Sequence, residues 1–267
     1  MTSYIMDNAW EGERRRLAGM EARYDTGTFR HLAALSVGDG WRCWDVGAGG
    51  GTVAVWLCER VAPSGSVLAT DLDPRFVQAL DYPNLEVRRH DVVHDPLPEG
   101  GFDLIHTRLL LMHLSERDAI VERLASALRP GGWLLLEEWV EAASVLNDPE
   151  VQKTLLALSA RPRAAIARYM ETRQMSQQYG QYGRLLYGRL RAAGLVDLGA
   201  EGRTPLEVGG PHFVDTTILA NPDVRTAVVA AGEVTDEEIE ALQAFRRSSA
   251  FFGFAPVMIA AWGRRPT

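Results

Sequence analysis

Apolar and polar positions along the chain follow two rhythms. Between Trp41 and Trp139, short apolar runs ("WRCWDV", "SVLATD", "LEVRR", "FDLIHT", "WLLLEEW") alternate with segments in which apolar residues recur every three or four positions ("TVAVWLCERV", "PRFVQAL", Ser115 to Leu128). The first pattern suits a buried strand and the second a helix with one apolar face, so the region predicts βαβ units on a parallel sheet. Ser115 and Asp118 stand in capping-box spacing ahead of Ile120, Val121, Leu124 and Leu128, and "RPGGW" ends that helix because Pro130 cannot continue it. Asp73, just before Pro74, reads as the N-cap of "PRFVQAL".

Outside this region the rhythm changes. Asn8 to Tyr24 predicts an amphipathic helix, with Trp10, Leu17, Met20 and Tyr24 on one face. A mostly helical run follows Trp139 as far as Ala193, after which "LVDLGAEGRTPLEV" returns to a strand pattern. A last helix, "TDEEIEALQAFRR", carries Thr235 and Glu238 in capping-box spacing, and "APVMIAAWG" reads as a final buried strand.

Composition narrows the classes of function. No stretch approaches about 18 uninterrupted apolar residues, and the first residues lack the apolar core of a signal peptide, so a soluble cytoplasmic protein without membrane attachment is expected. The net charge of −7 argues against nucleic acid as a partner. Residues 151–191 are the exception, with eight basic side chains against Glu171 alone. That bias suits either an acidic substrate or a solvated face balancing an acidic body. Lys153 is the one lysine beside 27 arginines, the usage of a GC-rich bacterial genome, and arginine does not deprotonate to serve as a base. Cys43 and Cys58 have neither metal nor redox spacing. His90 and His94 scatter across a strand end, so no metal site is expected.

The chemistry gathers at "WDVGAGGGTVAVW", where four glycines occupy five positions between a strand and a helix. Glycine is required where φ is positive or a ligand approaches the backbone, and the free N–H groups of the helix start attract an anion; a carboxylate and a phosphate both fit. A dinucleotide fingerprint is met only in the loose form Gly49, Gly51, Ala54, which leaves open a nicotinamide-dependent oxidoreductase. Against it stands Asp45, an acid where a pyrophosphate would be repelled.

"DVGAGGG" matches a DxGxGxG motif, and with "LATDLDP", "RRHDVV", "FDLIHTRLLLMHL" and "LRPGGWLLLEE" in order it resembles the class I S-adenosylmethionine-dependent methyltransferases. The resemblance implies a Rossmann-like α/β fold, a seven-stranded mixed sheet of order 3-2-1-4-5-7-6 with N-terminal helices and an inserted helical cap. It implies S-adenosylmethionine as cofactor, with Asp45, Gly47, Ala48, Gly49 and Gly51 around its methionine part. Asp71 would take the ribose hydroxyls, with Leu72 beside it, and Asp91 the adenine amino group, with Val92 on the ring. Thr107 and Arg108, at the end of the fourth strand, also belong to this expected cofactor site. His113 follows where the reactive methyl should point, as a substrate contact or general base.

Glu137 and Glu138 alternate to opposite faces of the fifth strand, and Glu138 is the one expected to face the cleft. Tyr169, Tyr179, Tyr182 and Tyr187 could line an acceptor pocket or simply pack the added helices. The expected organisation is one methyltransferase domain: a lid at 1–40, a cofactor-binding half at 41–140, a helical cap at 141–193, and C-terminal strands with a helical insertion at 194–267. About 40 residues separate the last two strand candidates, where the simplest form of the fold has a hairpin. The expected partner is a small-molecule methyl acceptor, and a homodimer stays open. A non-methylating binder of the same cofactor, either a regulator or a cyclisation catalyst, would present the same cofactor site.

Overall fold

The computed structural model describes residues 12–140, 148–172, 180–210 and 217–267. By contact the chain divides into two compact units, one formed by 24–141, 178–203 and 257–267 and the other by 1–23, 142–177 and 204–256.

The first unit is built on a seven-stranded sheet. Its strands are β1 (Arg42–Val46), β2 (Ser66–Asp71), β3 (Leu85–Arg89), β4 (Phe102–Arg108), β5 (Leu128–Val140), β6 (Val196–Arg203) and, last in the chain, Val257–Arg264. The last strand lies between β5 and β6, antiparallel to both, while β3, β2, β1, β4 and β5 run parallel in that order. The expected strand order is therefore the observed one. Period-two alternation divides the core between the two faces. Trp44, Ile105, Leu134 and Leu136 pack on one face with Ile120, Leu124, Leu186 and Leu190, and Cys43, Leu104 and Leu135 on the other with Leu32, Leu57 and Val61.

Four local expectations are corrected. The first helix, α1, runs Glu13–Ala34, ten residues beyond the expected end, while residues 8–11 lie outside the described residues. Gly27 lies inside this helix, where a Cβ would meet the Arg203 guanidinium at 3.2 Å. "PRFVQAL" forms turns and no helix. The helix after β4, α3, spans Arg117–Ala127 with Glu116 as an N-cap whose side chain caps no backbone N–H, so the Ser115 capping box does not form; the Ser115 hydroxyl donates to the Glu116 carboxylate instead. "RPGG" belongs to β5, where Gly132 leaves no room for a side chain because a Cβ would sit 2.5 Å from the Phe102 carbonyl.

The second unit is mainly helical, with Pro149–Thr172, Pro222–Ala230 and Asp236–Arg247 and a two-stranded sheet of Leu206–Val208 with Phe252–Phe254. Its small cores gather Ala165, Leu219, Val224 and Ile239, and Leu155, Leu242 and Phe251. The capping box of Thr235 and Glu238 forms as its spacing predicts. Part of the basic bias is matched locally, since Arg161 pairs with Glu238 and Arg168 with Glu233. Among the described residues no helix is long and apolar enough to cross a membrane.

Candidate active site

The ends of β1, β2 and β4 and the turns after them place most of the expected residues in one neighbourhood of the sheet unit. The glycine loop leaves β1 with Gly47 at φ 73°, Gly49 at 55° and Gly51 at 92°, a left-handed run in which a side chain would strain the backbone. The N–H groups of Gly47 and Ala48 donate to the Thr70 carbonyl at 2.8 and 3.0 Å, which ties the loop to β2. Helix α2 (Thr52–Val61) then starts from Gly51 without a side-chain cap, leaving first-turn donors open, and the buried Thr52 hydroxyl has no partner.

Asp71 ends β2 beside this loop. Its Oδ2 accepts from the Gly49 N–H at 3.0 Å and its Oδ1 from the Asp73 N–H at 3.1 Å. Burial pushes its pKa up, against those two bonds. Leu72 beside it is exposed, an apolar side chain held out next to an acid. Asp91, after β3, accepts from the Val93 N–H and from His94 Nδ1, each at 2.9 Å. Partial burial opposes those bonds, which hold Asp91 below its usual range. Val92 packs into the core, and the Arg123 guanidinium braces the turn through the carbonyls of Val92, Val93 and Asp95. His90 bonds the Pro96 carbonyl, away from His94. Among the described residues no group of three or more histidines, cysteines or acids could hold a metal ion.

Asp45 lies in different surroundings. It is 3% exposed and directly opposite His106 across the β1–β4 register, with Oδ1 at 2.7 Å from His106 Nδ1. The other imidazole nitrogen, Nε2, faces Glu137 Oε2 at 3.3 Å. Glu137 also accepts from the Thr28 hydroxyl at 2.5 Å, and its Oε1 lies 3.2 Å from His31 Nδ1. Arg108 turns to the same helix, donating to Thr28 at 2.8 Å and to Asp25 at 2.9 Å. An imidazole with a carboxylate on each nitrogen is held as the doubly protonated cation. Burial works against that charge, but Asp45 and Glu137 outweigh it and raise His106 to about 9. Glu137 is held well below the carboxylate range, burial again opposing and the bonds from His106 and His31 prevailing.

Glu138 points to the opposite face, as alternation requires, and serves the turn after β4. Its Oε1 accepts the Leu111 N–H at 2.7 Å, its Oε2 is buried without a partner, and burial pushes it up to about 8. The turn carries His113 at the end of the 3-10 segment Leu111–His113, half-buried. Leu109, just before, holds φ at 55°, and Leu110 lies where a Cβ on Gly47 would reach it at 3.3 Å. Thr107 is fully buried, its hydroxyl without a partner. Tyr182 is a core residue whose hydroxyl donates to Asp118, Tyr187 is exposed, and Tyr179 lies outside the described residues.

The structure thus adds His106, Glu137, Thr28, His31 and Asp25 to the neighbourhood. Only the strand register and the lie of α1 bring them together, and the one available signal was a histidine inside the apolar run "FDLIHT".

This neighbourhood lies within a segment, residues 44–136, that matches a family described as "Methyltransferase domain". The chain is 30% identical over 184 residues to methyltransferase str2 of Strobilurus tenacellus, covering 67% of this chain and 63% of that one. It is 27% identical over 118 residues to the ubiquinone/menaquinone biosynthesis C-methyltransferase UbiE of Pseudomonas putida, covering 41% and 46%. The chain therefore spans less than two thirds of the length of either relative. Among solved structures, the YcgJ protein from Bacillus subtilis aligns with a TM-score of 0.54 at 16% identity over 89% of this chain and 99% of that one, which speaks to the fold.

Proposed function

We propose that this chain is a class I S-adenosylmethionine-dependent methyltransferase that moves a methyl group from that cofactor to an O, N or C nucleophile of a small molecule, in the manner of secondary metabolism. The observation that supports it is the setting of the glycine loop, with acids at the ends of three adjacent strands: Asp45 on β1, Asp71 on β2 and Asp91 after β3. The donor set fits such a cofactor. Open N–H groups at the start of α2 and the unpartnered Thr52 hydroxyl suit its carboxylate, Asp71 beside exposed Leu72 suits a ribose next to an aromatic base, and the acids suit its positive charge.

When bound, the cofactor supplies an electrophilic methyl on a sulfonium, already activated for in-line displacement. The chain has to hold the acceptor about 3 to 3.5 Å from the methyl carbon, keep water out, and accept the proton that an O–H or N–H nucleophile releases. In this reading the glycine loop and Asp45 orient the methionine part, Asp71 the ribose and Asp91 the adenine, and His113 takes the proton. The bond from acceptor to methyl forms as the sulfur–methyl bond breaks, leaving S-adenosylhomocysteine, methylated acceptor and a proton. The named role of UbiE, in ubiquinone and menaquinone biosynthesis, supports a small acceptor over a nucleic acid, and the proposal is of a cytoplasmic enzyme.

Calorimetry on the purified protein with S-adenosylmethionine, S-adenosylhomocysteine and NADPH side by side tests it. Micromolar binding of the first two, with S-adenosylhomocysteine release in an acceptor screen, is the expected result. Binding of NADPH alone would overturn it, and cofactor binding with no transfer to any acceptor would leave a regulator or cyclisation catalyst.

A further inference from the structure

The buried chain that runs from Asp45 through His106 to Glu137 is more than the glycine loop needs to fold. A lone carboxylate at 3% exposure is costly unless paired, and His106 pairs it. Pairing with a cation alone would cancel the charge of Asp45 and leave nothing for a positive ligand. Glu137, 3.3 Å from the far side of the imidazole, restores one negative charge to the trio. It is in turn fixed by Thr28 and His31 of α1.

Resting on the proposed cofactor, we infer that Glu137, acting through His106, is a positioning residue that gives the Asp45 cluster one net negative charge. That charge makes the site discriminate the sulfonium of S-adenosylmethionine from the neutral thioether of S-adenosylhomocysteine. The two ligands share an ammonium and a carboxylate and differ by the methyl group on sulfur and the one positive charge that it brings. A net charge of −1 beneath the loop is the counterpart of that difference, and it favours substrate cofactor over spent cofactor.

The other charged groups around the trio leave this balance in place. From α1, Asp25 pairs with Arg108 of β4, and Arg30 pairs with Glu201 of β6, which also lies 3.6 Å from His31 Nε2. From α2, the Cys58 thiol faces Asp45 and is kept neutral, pushed up to about 12 by burial. Within the trio His106 is therefore the group that changes charge between neutral and alkaline pH, while Glu138, on the opposite face of the same strand and pushed up to about 8, also ionises in that range.

The test is the ratio of dissociation constants for S-adenosylhomocysteine and S-adenosylmethionine, by calorimetry, in wild type and Glu137→Gln. Glutamine keeps the shape and one acceptor oxygen but removes the charge. The ratio should fall about tenfold, the effect of one charge at an effective dielectric of about 20. A merely structural role would weaken both ligands alike and leave the ratio unmoved. A parallel series on Glu138→Gln, which silences that neighbouring carboxyl, from pH 7 to 10 covers the case in which the Glu137 variant does not fold. There the ratio should rise about threefold or more as His106 loses its proton and the cluster goes from one negative charge to two. A ratio constant within twofold in a folded Glu137→Gln, or a flat pH series, overturns the inference. Failure of the wild type to bind either ligand overturns the cofactor reading itself.

Discussion

Glu137 and Glu138 are consecutive on one strand, both fully buried, and their carboxyls are driven in opposite directions. On the face of Glu137, α1 and β4 supply an imidazole on either side, a hydroxyl and a nearby guanidinium, so the charge is kept. On the face of Glu138 the partners are backbone N–H groups of the turn after β4, too few to offset burial, and the carboxyl is pushed to about 8. Burial is common to both. What differs is whether the opposite face supplies cations, and that decides whether the strand end offers a charge or a proton.

The largest expected effect lies on the Glu138 face. Folding raises the pKa of Glu138, so its contribution to stability is full below the ordinary carboxylate range and is lost as pH rises towards about 8. Glu138→Gln keeps the acceptor for Leu111 and removes the titration, so chemical denaturation at pH 5 and pH 9 should show the variant gaining on wild type by on the order of 4 kcal/mol. Equal pH profiles would mean that Glu138 ionises freely and that the contrast is false.

Glu137→Gln should do the reverse. It leaves the His106 cation with one partner and should cost about 3 kcal/mol at pH 7, read from the same denaturation curves. Glu137 is held low, so its contribution is present above the carboxylate range and lost as pH falls through and below it; the deficit of the variant should narrow in acid.

His113 carries the comparison to turnover, because the Glu138 carboxyl braces the turn on which it sits. His113→Ala should lower kcat about 100-fold with an acceptor that loses a proton, while cofactor affinity holds. Full activity would remove it as the base. At the half-exposed rim, Asp71→Ala should weaken S-adenosylmethionine binding by about 10- to 100-fold in calorimetry, the worth of one or two hydrogen bonds to a charged acceptor. Unchanged affinity would refute its ribose role.

Particular residues show how far the sequence could be read. "DVGAGGG" and the strands after it announced a parallel sheet and the loop, because period-two burial and positive φ leave marks on residue type that survive without coordinates, while the strand order came with the family resemblance. The helix expected at "PRFVQAL" failed because a short apolar run there is satisfied by turns against the core, where Val77 is fully buried. The expected first helix stopped at Tyr24, whereas α1 runs on to Ala34 because Leu32 packs into the core beside the sheet.

The cluster beneath the loop was legible only in part. Asp45 stood out because an acid before a glycine run is chemically odd, whereas His106 and Glu137 sit inside apolar strands where residue type alone suggests a filled core. Local spacing, then, determined most of the elements and the glycine loop, since those depend on what each residue does to its own stretch of backbone, and the strand order and rim acids followed from the family resemblance. The lie of α1 and the register of β1, β4 and β5 decided which buried groups keep their charge, because Asp45, His106, Glu137 and Thr28 are neighbours in space and strangers in sequence. A buried charge is fixed by whatever lies within a few ångströms of it, and no pattern along the chain records that.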